Sequence, residues 1–320
     1  MRLFFAASTV AAHAREIERT RADQGNGAGV GTLVPFRAGG MEPPFFLVAG
    51  GFGGEADLLV YARLARFLNR RQPFYGLRTR CVDERVEPPE TVEMIAAEHL
   101  SDIRKIQPHG PYFIGGACAG GVVALEMAQQ LHSLGEAVGA LILVDSSVPS
   151  WSAHLRYRLF RLRSLGLLPL LQSWRLNRSH FYATLKEKIT ILTAPSPEQR
   201  VGREKVRIGL KYFRRLMRYS QQLYPGPATL IVPAELKWQD PAPMWRDLIL
   251  GELDVCHVPG DHLTHLREHA VDTAACLDAC LEQARDRLRK SQSLEYEPQA
   301  PFPGRVALSS VPRASGITPS

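Results

Sequence analysis

The chain has 320 residues, 45% hydrophobic and 22% charged, with 39 Lys or Arg against 32 Asp or Glu and a formal charge of +7. That length and balance suit a globular protein with one large α/β domain and attachments, and no apolar run is long enough to span a bilayer. Five cysteines (Cys81, Cys118, Cys256, Cys276, Cys280) form an odd set without paired metal-ligand spacing. They argue against a disulfide framework and for a reducing, cytoplasmic compartment.

Met1 to Ala14 carries an early Arg2 and the apolar stretch Leu3–Ala12, a pattern shared by short secretory signals. A helix end is the favoured reading, because Val10, Ala14 and Ile17 fall on one face and Glu16, Glu18 and Arg19 continue it in polar form. Residues 23–42 are Gly-rich and aperiodic and read as a linker. A β run, Phe45-Phe46-Leu47-Val48, then leads into the glycine loop Ala49-Gly50-Gly51-Phe52-Gly53-Gly54. Its spacing fits neither phosphate-binding pattern, but after a buried strand it can turn backbone N–H groups toward an oxyanion.

A helical pattern over Leu58–Asn69 precedes a second strand, Pro73–Leu77. The segment Thr91–Ile106 is amphipathic, with Val92, Ile95, Ala96, Leu100 and Ile103 sharing a face, and it stops before Pro108. Next comes Phe113-Ile114-Gly115-Gly116-Ala117-Cys118-Ala119-Gly120-Gly121, an apolar run ending in glycines around one cysteine and continuing as a helix to about Gly135. This is the layout of a nucleophile elbow, with Cys118 where the G-x-S-x-G motif keeps Ser. The helix N-terminus beside the sulfur favours thiolate. The uninterrupted strand Ala140–Val144 closes on Asp145. Strands apolar on both faces, alternating with amphipathic helices, predict a mostly parallel sheet covered on both sides.

That rhythm breaks over about 148–224, which reads as a helical lid. Between Ser146 and Tyr224 there are 16 Lys or Arg against 3 Asp or Glu, a net of +13 that leaves the rest of the chain at −6. A solvated helical face explains such a stretch, and so does a docking surface for an acidic partner. Its aromatics form no stacking platform, so a nucleic-acid role is disfavoured. Strands return at Thr229–Pro233 and Leu253–Val258, the second followed by Pro259-Gly260-Asp261-His262. A last helix covers Ala270–Leu288, and residues 291–320 are Pro- and Ser-rich without periodicity and are expected to be disordered.

Three side chains fall at strand ends: Cys118, Asp145 and His262. A thiolate, an imidazole to move its proton and a carboxylate to orient the imidazole make a nucleophilic triad, in the α/β-hydrolase order of nucleophile, acid, base. His257 lies inside a strand and His265 and His269 beyond the loop, so they are weaker candidates. For the acid, Glu235 and Asp240 compete with Asp145, since many hydrolases of this fold keep it after the next strand.

The runs Phe74-Tyr75-Gly76-Leu77, Ile106-Gln107-Pro108-His109-Gly110-Pro111-Tyr112 and Ala124-Leu125-Glu126-Met127-Ala128, with Tyr224-Pro225-Gly226 and Val258-Pro259-Gly260-Asp261-His262, resemble type I thioesterase domains that end nonribosomal peptide and polyketide synthases. The resemblance implies an α/β-hydrolase fold over 43–290 with a lid at about 148–224. It implies Asp145 as acid, His262 as base, and Ala119 and Gly51 as oxyanion amides. It also implies a substrate delivered on the phosphopantetheine of an upstream carrier domain, with no cofactor or metal of the domain's own. Under the same resemblance, residues 1–22 look like the last helix of a carrier domain, and the chain like a piece of a larger synthase. Ala117 and Ala119 also depart from the family's common choices, which favours a native cysteine variant over a serine replaced by design.

The implied activity is transfer of an acyl or peptidyl chain onto Cys118 and its release, by cyclisation or aminolysis in preference to hydrolysis. Dienelactone hydrolases and polyhydroxyalkanoate synthases also carry Cys in this box, but their acid follows a later strand. A non-catalytic carrier-binding module and a standalone editing thioesterase are the remaining alternatives.

Overall fold

The computed structural model describes residues 31–50, 55–79, 87–148, 197–235 and 240–295. The continuous apolar runs become the centre of a seven-stranded sheet: β1 (Leu33–Arg37), β2 (Phe45–Val48), β3 (Phe74–Leu77), β4 (Tyr112–Ala117), β5 (Val138–Val144), β6 (Ala228–Pro233) and β7 (Leu253–Val258). Their spatial order is β1-β3-β2-β4-β5-β6-β7, and every pairing is parallel except β1 with β3. Parallel pairing requires crossovers, and helices supply them. They are α1 (Glu55–Phe67), α2 (Val92–Ile103), α3 (Gly120–Ser133), α4 (Pro197–Arg218), α5 (Ala242–Arg246) and α6 (Ala270–Glu295).

Because side chains alternate across a strand, the same runs feed two cores. Phe46, Val48, Tyr112, Ile114, Leu141, Leu143, Leu230 and Val232 pack with α2 and α3 on one face. Phe45, Leu47, Phe113, Ala140, Ile142 and Ile231 pack with α1 and α6 on the other. This is the α/β-hydrolase sheet expected from the sequence, with helices on both faces. Helix α2 begins at Thr91, whose hydroxyl accepts from the Met94 amide at 3.3 Å, and it buries the five apolar residues named above.

Two boundaries differ from expectation. Residues 33–37, expected within the linker, form edge strand β1, antiparallel to β3. Polar anchors hold it there. The Thr32 amide and hydroxyl each donate to the Asp102 carboxylate at 2.6 Å, and the Arg37 guanidinium donates to the Asn69 carbonyl at 2.6 Å. Helix α6 runs through Glu295, into the segment expected to be disordered. The proposed carrier remnant (1–22), most of the lid (149–196) and residues 296–320 lie outside the described residues.

Helix α4 is the described part of the expected lid. Ile208, Tyr212 and Leu216, four residues apart, are buried, Tyr212 and Leu216 in the sheet core, while Arg214 and Arg218 are exposed. The Tyr219 hydroxyl donates to Glu126 on α3 and lies 3.0 Å from the Gln129 side-chain oxygen, so the end of α4 is tied to the elbow helix. Among the described residues, no helix is long and apolar enough to cross a membrane.

Candidate active site

Strand β4 ends at Ala117 and α3 begins at Gly120, so the chain must reverse within two residues. It does so through Cys118 at φ 49°, a left-handed conformation costly for any residue with a Cβ. The glycines make the turn possible. A Cβ on Gly116 would sit 2.2 Å from the Gly120 carbonyl, and one on Gly120 would sit 2.6 Å from the carbonyls of Val48 and Ala49. Backbone bonds fix the turn: the Cys118 amide donates to Val144 at 2.9 Å, and the Ser146 hydroxyl donates to the Cys118 carbonyl at 2.7 Å. The indole N–H of Trp245, fully buried on α5, donates to the Ser146 carbonyl at 2.8 Å. Ser146 and Trp245 thus brace the cysteine from behind. Strain at Cys118 is balanced by this frame.

Asp145 follows β5 directly, buried and also left-handed at φ 46°. Its amide donates to Ile231 at 2.7 Å, which fixes the carboxylate at the same sheet edge as the cysteine. His262 arrives from β7 through Gly260, at φ 87°. Its loop is wound on Asp261, whose carboxylate accepts from the amides of Leu263 and Thr264 at 3.0 Å and from the Thr264 hydroxyl at 2.9 Å.

These three loops meet where parallel α/β sheets bind ligands. His262 Nδ1 hydrogen-bonds the Asp145 carboxylate, and the ring also hydrogen-bonds Cys118, leaving Nε2 as the nitrogen for the sulfur. Hydrogen bonds to Asp145 first and Cys118 second outweigh burial and push the His262 pKa up to about 10. The imidazole is therefore cationic at neutral pH. The sign follows: a His raised on folding adds stability that is complete below its unfolded pKa of about 6.5 and is lost as pH rises through about 10. Ring NMR should place the His262 titration far above that unfolded value. Asp145→Asn should lower it more than Cys118→Ala does, and a wild-type midpoint near 6.5 would contradict this geometry.

The structure brings Cys118, Asp145 and His262 together. The competing acids sit elsewhere. Asp240, two residues before α5, accepts from the Ala242 amide at 2.9 Å, and Glu235 is exposed, with its amide bonded to the Gly260 carbonyl at 2.9 Å. Ala119 stands at the N-terminus of α3, where amides point toward an anion. Gly51 lies outside the described residues. Its neighbour Gly50 donates its amide to the Tyr61 hydroxyl at 3.3 Å.

His265, the weaker candidate, is buried with Nε2 3.7 Å from the same Asp145 oxygen that bonds His262. Burial drives its pKa down to about 4, so it adds no second positive charge beside His262. Its carbonyl accepts from the Thr273 hydroxyl at 2.7 Å, which ties the loop to α6. The sequence held no signal for this: His265 stands three residues past His262 in an irregular turn, outside any strand or helix period.

The family model described as a thioesterase domain matches residues 43–281. Malpibaldin synthetase of Mortierella alpina is 36% identical over 153 residues, which are 48% of this chain and 3% of that protein. The dimodular nonribosomal peptide synthase of Bacillus subtilis (strain 168) is 36% identical over 144 residues, 44% of this chain and 6% of that protein. The chain therefore spans only a small part of the length of the curated relatives it matches. Among solved structures, the NocB thioesterase domain from the nocardicin cluster is similar with a TM-score of 0.55 and 26% identity, over 76% of this chain and 95% of that domain. The four-domain nonribosomal peptide synthetase AB3403 shares the fold with a TM-score of 0.60 and 22% identity, over 85% of this chain and 21% of that one. A family model that matches residues 43–281, from just before β2 into α6, places the chain in the thioesterase domain family.

Proposed function

We propose that this domain receives an acyl or peptidyl chain from the phosphopantetheine thioester of a carrier domain onto Cys118 and releases it to a nucleophile within that chain. The observation that carries the reading is the hydrogen-bonded series Cys118–His262–Asp145 at one sheet edge, with the sulfur on a strained strand-to-helix turn.

In the first half-reaction the Cys118 sulfur attacks the thioester carbonyl. A carbon–sulfur bond to Cys118 forms, the bond to pantetheine breaks, and His262 Nε2 gives its proton to the departing thiolate. The Ala119 amide, and Gly51 by family resemblance, would receive the oxyanion. Once Cys118 is acylated, His262 has given up its proton and is neutral. The neutral imidazole, held in one tautomer by Asp145, then takes the proton of an incoming amine or hydroxyl as Cys118 leaves.

A thioester intermediate is nearly isoenergetic with the thioester it came from, so the acyl group stays activated. Thioesters also favour amines over water more than oxoesters do. Release as a lactam, an amide or a strained lactone is thus favoured over simple hydrolysis. The basic segment around the lid, net +13, is the surface proposed to dock an acidic carrier. Product analysis with a synthetic pantetheine thioester carrying an internal amine tests the release mode. Cyclised product is expected, and free acid alone would overturn it.

A further inference from the structure

Three cysteines outside the active site converge on the α6 face of the sheet. Cys256 lies on β7, and Cys276 and Cys280 are four residues apart on one side of α6. Their Sγ atoms all lie within 4.8 Å of one another, with Cys256 and Cys280 3.9 Å apart, and all three are free thiols. Cys280 is buried in the core, while Cys256 and Cys276 are half-buried at its rim.

Free cysteines often pack simply as small apolar residues. Geometry separates such packing from a ligand set. Metal–sulfur bonds of about 2.3 Å put the sulfurs of a trigonal or tetrahedral site about 3.8–4.0 Å apart. The Cys256–Cys280 separation already has that value, and the other pairs need to close by at most about 1 Å. A disulfide between Cys256 and Cys280 would need their sulfurs to close from 3.9 Å to about 2.05 Å, a shift of about 1.9 Å. Soft thiolates select Zn(II) and Cu(I) over Mg(II) and Ca(II).

We propose that Cys256, Cys276 and Cys280 bind one thiophilic d10 cation, Zn(II) or Cu(I), whose open position faces solvent on the half-buried side. Binding forms three metal–sulfur bonds and sends the thiol protons to solvent, with no change of oxidation state. The nearby Asp254 carboxylate is engaged by Arg287 and by Gln283 at 3.5 Å, which leaves the sulfurs as the ligand set. The location gives the cation a consequence. Cys256 precedes and Cys276 follows the segment Pro259–His269, which carries His262 and His265. A metal between them staples β7 to α6 across the base of that loop and stabilises the folded state by mass action. Cation binding stands independently of the release chemistry proposed above.

The test is metal content and thermal stability of the full chain, purified reduced and without chelator, then titrated anaerobically with Zn(II) or Cu(I). One cation per chain is expected, and the better-bound metal identifies which of the two the site takes. Cys118→Ala should retain it. Cys276→Ser should weaken binding more than about 100-fold, beyond the 10–100-fold range for losing an outer-shell partner. Chelation should lower the melting temperature of the wild type and leave that of Cys276→Ser unchanged. Cys256→Ser carries the same comparison if Cys276→Ser does not fold. Absence of a bound cation, unchanged affinity in the folded variants, loss of the cation in Cys118→Ala, or a disulfide among the three in the reduced native protein would each overturn the proposal.

Discussion

Asp145→Asn is expected to lower turnover of a pantetheine thioester by about 10⁴-fold, while Asp240→Asn and Glu235→Gln leave it near the wild-type rate. The Asp145 carboxylate accepts a hydrogen bond from His262 Nδ1, so the proton on that nitrogen is fixed and Nε2 faces the sulfur. An amide at position 145 can present N–H instead, which stabilises the tautomer with its proton on Nε2. With its proton on Nε2, the neutral imidazole could not take the proton of the incoming amine or hydroxyl in the release step. The same change removes the first cause of the raised His262 pKa, so the acid that protonates the leaving thiolate is also lost. The Asp240 carboxylate is hydrogen-bonded to the Ala242 amide at the start of α5. Steady-state kinetics of the three variants decide the matter. A larger loss from Glu235→Gln would mean that the acid follows β6, the layout of the dienelactone hydrolases, and would sink the assignment.

The second large effect is expected in the products. Cys118→Ser should slow acyl loading and raise the ratio of free acid to internally released product by at least about tenfold, the equivalent of about 1.4 kcal/mol between competing transition states. Serine turns the intermediate into an oxoester, whose carbonyl is better stabilised by resonance and discriminates less between amine and water. It also replaces the hydrogen-bonded sulfur that helps keep His262 protonated, so less of the imidazole carries a proton for the leaving thiolate. Chromatographic separation of acid and cyclised product over time measures the ratio. An unchanged ratio would show that exclusion of water from the site, and not the sulfur, sets the release mode.

What could be read from the sequence was local. The elbow is one contiguous run whose glycines, cysteine and helix onset lie within about ten residues, so its chemistry and its geometry share a signature. The strands β2, β4 and β5 announced themselves as unbroken apolar runs, because a sheet covered on both sides needs apolar residues at every position. Long-range polar contacts left no such trace. Leu33–Arg37 looked like linker because its place at the sheet edge depends on Asp102 and on carbonyls at the end of α1. Helix α5 is five residues long, too short to show a period, yet its Trp245 braces Ser146 behind the nucleophile. The three-thiol cluster was invisible for the same reason. Nineteen residues separate Cys256 from Cys276, and only the packing of α6 on β7 brings their sulfurs together.

The most direct measurement of the central claim is the intact mass of the wild-type chain after brief exposure to a pantetheine-linked acyl substrate, followed by peptide mapping of the adduct. The account predicts one acyl group per chain, on the peptide containing Cys118, cleaved by neutral hydroxylamine as a thioester and disappearing as product forms. Product formation with no adduct ever detectable on a slow substrate, or an adduct mapped to any other residue, would contradict it.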